Sequence, residues 1–350
     1  MRSIIKNTSR IALLLFASAF LFTSCEKDTD GGGSLSVNQI DPGEAPGNEV
    51  LTVTGSGLRG ITSIVFDNGN VPASFNPNFN TDNAVIFRVP DTANGGDQNI
   101  ILTNVDGNQV KVPFRVIALV TVAGVSNYNF EEGSEITITG NNLDDVSKVV
   151  FTGTTTEAEI VSQSKRSLVI SMPATEVNRA TLDITNNSGT VTTTQEFVNL
   201  DKALKLFTDG YGPGFQDASW GDPGTISTTV SKTGNASVFK KFAAGNWHQF
   251  GFGWTNISND NYTYLSFWIK GASKDYSLYI SSSVSEGGFA SFNDYARISV
   301  PANVWTYFKI PVATLKLWAN GSSFNQLGWR IQGPDGQDET FYLDDVILVK

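Results

Sequence analysis

Val50-Leu51-Thr52-Val53-Thr54-Gly55-Ser56-Gly57-Leu58 is answered further along the chain by Ile136-Thr137-Ile138-Thr139-Gly140-Asn141-Asn142-Leu143. In both stretches Val, Ile or Leu alternates with Thr, which predicts a strand with one buried and one wet face. The glycine that follows predicts a turn whose backbone a β-carbon would forbid. Each stretch leads into a second strand ending in Phe66 or Phe151, at the same distance from its glycine. Val89-Pro90 then answers Met172-Pro173, and Phe114 answers Phe197; a turn holding Asn104 and Gly107 answers Asn186, Asn187 and Gly189. The prolines lack an N–H and so fit strand ends. A period of roughly 85 residues is long for a solenoid unit and suits a small independent sandwich.

The rest of the chain reads the same way. Runs rich in Val, Ile, Thr and Phe recur at roughly ten-residue spacing between Gly, Asn, Asp and Pro clusters, and no long stretch carries a helical apolar period. The fold class expected is all-β. The repeat resembles the IPT/TIG family of immunoglobulin-like domains over 35–117 and 118–199. It does so through Thr-Gly-x-x-Leu, the strand ending in Phe, the x-Pro and the Asn/Gly turn. Asp41-Pro42-Gly43 resembles the family's opening Pro-x-x-Gly; the second copy reads Asn127-Tyr128-Asn129-Phe130-Glu131-Glu132-Gly133 there instead. The resemblance implies two rigid spacers.

The N-terminal residues point to a compartment. Arg2, Lys6 and Arg10 precede the apolar run Ile11 to Phe22, too short to span a bilayer and suited to a signal-peptide core. Leu21-Phe22-Thr23-Ser24-Cys25 resembles a bacterial lipobox, which implies a signal peptide over 1–24, lipidation of Cys25 and an outer-membrane anchor. Cys25 is the only cysteine, so no internal disulfide or redox pair competes for it. The acidic and glycine-rich tether 25–34 resembles the export tag of Bacteroidetes surface lipoproteins, which implies display on the cell surface. The net charge of −10 leaves no basic stripe for phosphates, so nucleic acid is not an expected partner.

Composition changes near residue 200. All seven Trp lie at 220 or beyond, and every Tyr except Tyr128 lies beyond 200. A pyranose has an apolar face of C–H groups and an edge of hydroxyls. Flat aromatic rings rimmed by Asn, Gln, Asp and Arg therefore make a sugar site. Strand parity sorts the candidates. Leu265, Phe267 and Ile269 take a core face, which turns Trp268 outward; Phe250 and Phe252 look buried, which turns Trp247 and Gln249 outward. Tyr279, Arg297, Arg330 and Gln332 also face out, while Trp329 shares the parity of core residues, as does Trp254 unless its flanking glycines make a bulge. Trp318 and Trp220 sit in turn-rich stretches that could rim a groove, and Trp305 reads as a structural strand-start residue. The carbohydrate-contact candidates are Trp247, Gln249, Tyr279, Arg297, Trp318 and Arg330, with Trp268 and Trp220 behind them.

Several stretches of 200–350 are similar to carbohydrate-binding modules with a jelly-roll, galactose-binding-like sandwich. They are 209–221, 265–271, 304–311 and the closing 341–348. That likeness implies a glycan ligand and, in such modules, often a structural calcium, for which Asp209, Asp344 and Asp345 are candidates; turn-forming or solvated aspartates read equally well. With the lipobox and the repeats, the whole chain resembles surface glycan-binding lipoproteins that serve SusC/SusD-type uptake systems. The expected partners are a polysaccharide, a membrane through the lipid and such a transporter. Few basic residues in the last domain favour a neutral β-glucan of laminarin type over a polyanion.

Two other readings stand beside this one. A glycosidase needs two carboxyl groups flanking one bond, but Glu286 lies in a loop and Glu339 in an exposed-looking acidic run. His248 is the single histidine, and no Gly-x-Ser-x-Gly elbow occurs. A surface scaffold that binds protein would also use exposed Trp and Tyr. Rings spread along a groove and rimmed by Arg and Gln favour glycan, whereas a compact apolar patch favours protein.

Overall fold

A computed structural model of the 350-residue chain describes residues 34–246, 248–331 and 336–350. The signal peptide, Cys25 and most of the tether therefore lie outside the described residues, as do Trp247 and Gln332. Strands dominate, and Val312–Leu315 is the only α-helix among the described residues. The chain divides into two compact units, one ending at Ile117 and the other running from Ala118 to Lys350.

The first unit is a sandwich of a three-stranded and a five-stranded sheet. Ser36–Asp41, Val50–Ser56 and Ala84–Arg88 form one sheet. Glu44–Pro46, Gln109–Ile117, Gly96–Asn104, Ile61–Phe66 and Val71–Pro72 form the other, in that spatial order. Leu51 and Val53 are fully buried while Thr52 and Thr54 are not, as the alternation requires. Phe66, at the end of its strand, meets Phe87 and Phe114 edge-on. Such rings each contribute about 1.5–3 kcal/mol by burial.

Within the second unit, residues 118–199 form a related sandwich of one four-stranded and two three-stranded sheets around Phe130, Ile136, Ile138, Phe151, Leu182 and Phe197. The repeated glycine has a different reason from the turn predicted for it. Neither Gly55 nor Gly140 has a positive φ. Instead the first strand of each domain crosses directly over it. A β-carbon on Gly55 would stand 2.0 Å from the Ser36 carbonyl oxygen, and one on Gly140 1.7 Å from that of Thr121.

Residues 200–350 form a jelly-roll-like sandwich of two larger sheets. One is six-stranded, with Thr225–Ser227, Ser237–Phe242, Glu339–Val349, Tyr264–Lys270 and Trp305–Pro311 in order and Leu204–Phe207 added to the last-but-two. The other is five-stranded: Gln216–Asp217, Gln249–Ser258, Ser323–Ile331, Tyr276–Ser282 and Arg297–Val300. Between them lie Phe207, Phe250, Phe252, Phe267, Leu278, Ile280, Leu327, Leu343 and Trp329. Trp329 is the core residue that parity predicts, fully buried edge-on to Phe252 and Phe267.

Part of the outer face of the six-stranded sheet, around Trp268, is covered by the 118–199 sandwich, and the loop that breaks the family pattern does the covering. Tyr128 stacks on Trp268, with ring centres 6.3 Å apart and planes 12° off parallel, and lies 5.0 Å from Tyr307. The Trp268 indole N–H donates to Asn127 Oδ1 at 3.3 Å, and the Lys232 ammonium sits 4.5 Å over the same ring. Asn127 and Asn129 donate to Asp345 Oδ2. Beside them Val198, Leu200, Tyr264, Ile347 and Val349 make a small junction core. Glu196 accepts from Arg179 and from Lys309. Burial alone would raise its pKa, but those two cations hold the carboxyl below its usual range. The part of that face around Tyr264 and Trp268 is thereby consumed as a domain junction, while Phe239, Lys270, Trp305 and Tyr342 on the same face stay partly exposed.

Candidate functional site

Antiparallel register brings four outward residues into one row across the five-stranded sheet. Gln249 pairs with Arg330, Arg330 with Tyr279, and Tyr279 with Arg297. All four are parity candidates, and they meet because strands of period two bring same-parity residues side by side when paired in register. Trp220 extends the row by one position: its N–H donates to the Gln249 carbonyl at 2.8 Å, and the Gln249 N–H donates back at 3.1 Å. The Trp220 indole is 59% exposed.

Above this row the side chains form a layered stack. The Arg330 guanidinium lies 5.8 Å from the Trp220 ring centre and 4.6 Å from that of Phe292. Phe292 in turn meets Tyr279 edge-on at 5.0 Å. Burial lowers the pKa of Arg330, yet a guanidinium stays charged in any such setting. Arg297 is exposed at the outer edge, 4.0 Å from Asp294. The next row is nearly bare: Gly251, Gly328 and Ser281. Rings in this arrangement offer faces to C–H groups, and the guanidinium offers N–H donors to hydroxyls.

The loop between Ser282 and Arg297 supplies the two rings that sequence reasoning missed, Phe289 and Phe292. No strand period marks them, since they stand in the turn-rich run Gly287-Gly288-Phe289-Ala290-Ser291-Phe292. Two phenylalanines in a glycine-rich loop are nonetheless a signal, because apolar rings there must cover something. The Ala290 N–H donates to Ser281 Oγ at 3.0 Å, and the Arg330 guanidinium donates to the Ala290 carbonyl.

Two further candidates, and one tryptophan of core parity, part company with the row. Trp268 does face outward from its sheet, but that part of the sheet's outer face is the domain junction; at 7% exposure it is closed to a ligand. Trp318 stands near the other end of the Gln249–Ser258 strand. Its N–H is held by the Ile257 carbonyl at 3.0 Å, and its ring lies against Tyr262 and Phe324. It lines a shallow groove with Asn259, Asn261 and Lys316 rather than the row. Trp254, expected in the core, is 51% exposed, because the pairing slips between Gly253 and Ile257 and strand parity ends there. Trp305 contacts the Tyr342 ring beside its strand.

The acidic candidates are engaged by N–H donors. Asp344 Oδ2 accepts from the backbone of Lys232 and Thr233, and Asp209 Oδ1 from that of Asn235 and Ala236. Asp345 Oδ2 takes the two asparagine amides of the junction. Among the described residues no group of three or more His, Cys, Asp or Glu is placed to hold a metal. These carboxylates serve the junction and its flanking turns, and Asp209 and Asp345 line one pocket with Asn127, Asn129 and Thr208.

Neither glutamate considered for hydrolysis belongs to the row. Glu286 is exposed, 3.7 Å from Lys316. Glu339 is buried rather than exposed, at the start of a strand in the other sheet, and accepts from Ser273, Tyr276 and Gln337. Burial would raise its pKa, but those hydrogen bonds hold it below the usual range, the opposite of what a general acid requires.

The model of the IPT/TIG domain matches residues 35–115 and 121–198. These two segments are IPT/TIG domains. The opening Pro-x-x-Gly that the second one lacks is the place where it grips its C-terminal neighbour. Among solved structures, the surface glycan-binding protein PbSGBP-B from Prevotella bryantii has a similar fold. It is 18% identical, with a TM-score of 0.57 over 91% of this chain and 99% of that one. A protein of the same kind from a xyloglucan utilization locus of Bacteroides uniformis is 16% identical, with a TM-score of 0.43 over 90% and 99%. A third, from the mixed-linkage glucan locus of Bacteroides ovatus, was solved with a heptasaccharide; it is 16% identical, with a TM-score of 0.33 over 90% and 75%. No curated protein matches the sequence.

Proposed function

We propose that this protein is a non-catalytic glycan-binding protein of a bacterial cell surface, which grips polysaccharide on the outer face of its five-stranded sheet. The observation that carries this reading is the stack of Trp220, Arg330 and Phe292 over one row of the five-stranded sheet, with Trp220 and Arg297 exposed at its edges and Gln249 and Tyr279 buried between them. Trp220 offers the apolar platform, Arg330 the donors, and Arg297 extends the polar rim. The row itself contains no carboxylate side chain, which agrees with capture rather than cleavage. A neutral β-glucan is the ligand class proposed: Arg330 is sandwiched between rings, and Arg297 already faces Asp294.

Cys25 is proposed as the lipidated residue that anchors the chain at the outer membrane. A SusC/SusD-type transporter is the proposed recipient. Single-site contacts of this size are weak, and many copies on one polymer raise the retention. The test is native affinity electrophoresis of the chain from Glu26 onward, against neutral β-glucans and acidic polysaccharides. Retardation by a neutral glucan, lost in Trp220→Ala and Arg330→Ala, is expected. No retardation by any polysaccharide refutes glycan capture, and retardation that survives both substitutions refutes this face.

A further inference from the structure

One side chain in the row is out of chemical balance. Gln249 is fully buried, and neither its Oε1 nor its Nε2 has a hydrogen-bond partner among the described residues. An interior amide left unpaired is unfavourable, so a fold retains one only where something offsets it. The amide lies on the outer face of the sheet: a β-carbon on Gly328 would stand 2.2 Å from Gln249 Nε2. The same point is 2.9 Å from Cε2 of Phe289, and a β-carbon on Gly251 would stand 3.1 Å from Phe289 Cζ. The Phe289 ring thus enters tip first over the bare row and lies beside the orphaned amide.

The backbone that delivers the ring is strained. Gly287 and Gly288 have φ of 80° and 76°, and Ala290, which carries a β-carbon, has 71°. Such conformations persist only where the surroundings hold them. Here the hold comes from Ser281 Oγ on the Ala290 N–H and Arg330 on the Ala290 carbonyl. Both holders stand on the sugar face itself, so a ligand that recruits Arg330 loosens the loop it restrains.

We infer that Phe289 is an intramolecular plug occupying the slot of one sugar ring, and that the ligand displaces it to reach Gln249, whose amide then reads the ring's hydroxyls. The inference rests on the glycan-binding reading above. The slot is floored by backbone because Gly251 and Gly328 have no side chains, which leaves a recess one ring thick. Gln249 supplies one acceptor and two donors at its base, a set matched to vicinal hydroxyls and wasted on a phenyl ring. Phe289 thereby makes the site selective, since only a ligand that satisfies the amide gains more than the ring it evicts.

Three measurements on the chain from Glu26 onward test this. Phe289→Ala is expected to bind the retarding glycan about tenfold more tightly in calorimetry, since the closed population no longer competes. Gln249→Leu is expected to raise the melting temperature of the ligand-free protein while weakening binding by more than about tenfold. In the unsubstituted protein, backbone amides of 287–291 are expected to exchange faster with solvent when glycan saturates the site. Weaker or unchanged binding by Phe289→Ala makes the ring a platform or a bystander and overturns the plug. So does a lowered melting temperature in Gln249→Leu, or slower exchange of the loop on binding. Retention of binding with loss in Trp220→Ala, alongside any of those results, sinks the plug alone; absence of all glycan binding sinks both readings.

Discussion

Replacing Trp268 by alanine separates the two outer sheet faces most cleanly. The indole is 7% exposed, stacked on Tyr128, packed 5.0 Å from Tyr307 and capped by the Lys232 ammonium. Truncating a buried tryptophan costs about 3–5 kcal/mol through lost transfer energy and the cavity left behind. The lower part of that range applies here. Asn127 Oδ1, which accepts the indole N–H, also accepts the Asn129 backbone N–H at 3.0 Å, so no buried acceptor is orphaned. At roughly 2–4 °C per kcal/mol for a unit of this size, the melting temperature of the 118–350 unit falls by roughly 10 °C. Glycan retardation measured well below that temperature is expected to be unchanged, because the ring belongs to the junction face. Trp268→Phe, which keeps most of the stack, should recover about half of the lost stability. Loss of retardation in Trp268→Ala with the melting temperature unmoved would refute the assignment of the two faces.

The buried pair Asp344 and Asp345 predicts a pH dependence of the opposite sign to ordinary surface carboxylates. Burial first, and the neighbouring carboxylate second, push Asp344 up to about 7, and burial also raises Asp345. The unfolded groups release their protons near pH 4, so the native state holds extra protons between about pH 4 and 7 and loses stability as pH rises through that window. Glu196 and Glu339, whose pKa values are held low, lose their contribution only below about pH 4.5 and leave the window clear. Urea midpoints should therefore be higher at about pH 5 than at about pH 7.5, and Asp344→Asn should flatten the difference. Gly140→Ala drives a β-carbon into the Thr121 carbonyl and should cost about 3 kcal/mol or more by denaturant unfolding, as Gly55→Ala should in the first unit. A cost under about 1 kcal/mol in both would refute the crossing-strand explanation. Trp318→Ala should lower the melting temperature, through loss of its contacts with Tyr262, Phe324 and the Ile257 carbonyl, and leave glycan retardation intact; loss of retardation without loss of stability would return Trp318 to the site.

What the sequence revealed about the site follows the limits of strand periodicity. Gln249, Tyr279, Arg297 and Arg330 were legible because each lies in an unbroken alternation, and antiparallel pairing carries equal parity across neighbouring strands. Trp254 leaves the core because the alternation breaks after Gly253, at the bulge its flanking glycines allow, and a period carries no information past a bulge. Trp268 was read correctly as outward and wrongly as available. Parity tells which side of a sheet a residue takes, never what covers that side. Phe289 and Phe292 escaped because loops have no period. The glycines of the repeat were legible as necessary, but the cause lay in a strand crossing, a contact between Gly55 and Ser36 or between Gly140 and Thr121 that no local pattern encodes.

The departure of the second IPT/TIG domain from its family pattern and the openness of the sugar face are two ends of one arrangement. A two-sheet sandwich has two outer faces, and an exposed aromatic face invites aggregation unless something covers it. Asn127-Tyr128-Asn129 covers part of one face permanently, with a stacked tyrosine and two amides pinned to Asp345. Phe289 covers the heart of the other with a single ring on strained backbone, touching bare glycines and an unsatisfied amide. The first cover is held by a ring stack and by hydrogen bonds that cross the junction from Asn127, Asn129 and Trp268. The second leaves Gln249 unpaired, so a molecule able to pair with it gains by lifting the cover. Permanence and exchangeability are distinguished here by what holds each cover: hydrogen bonds and a ring stack across the junction on one face, and on the other a single ring on a loop tied through Ser281 and Arg330.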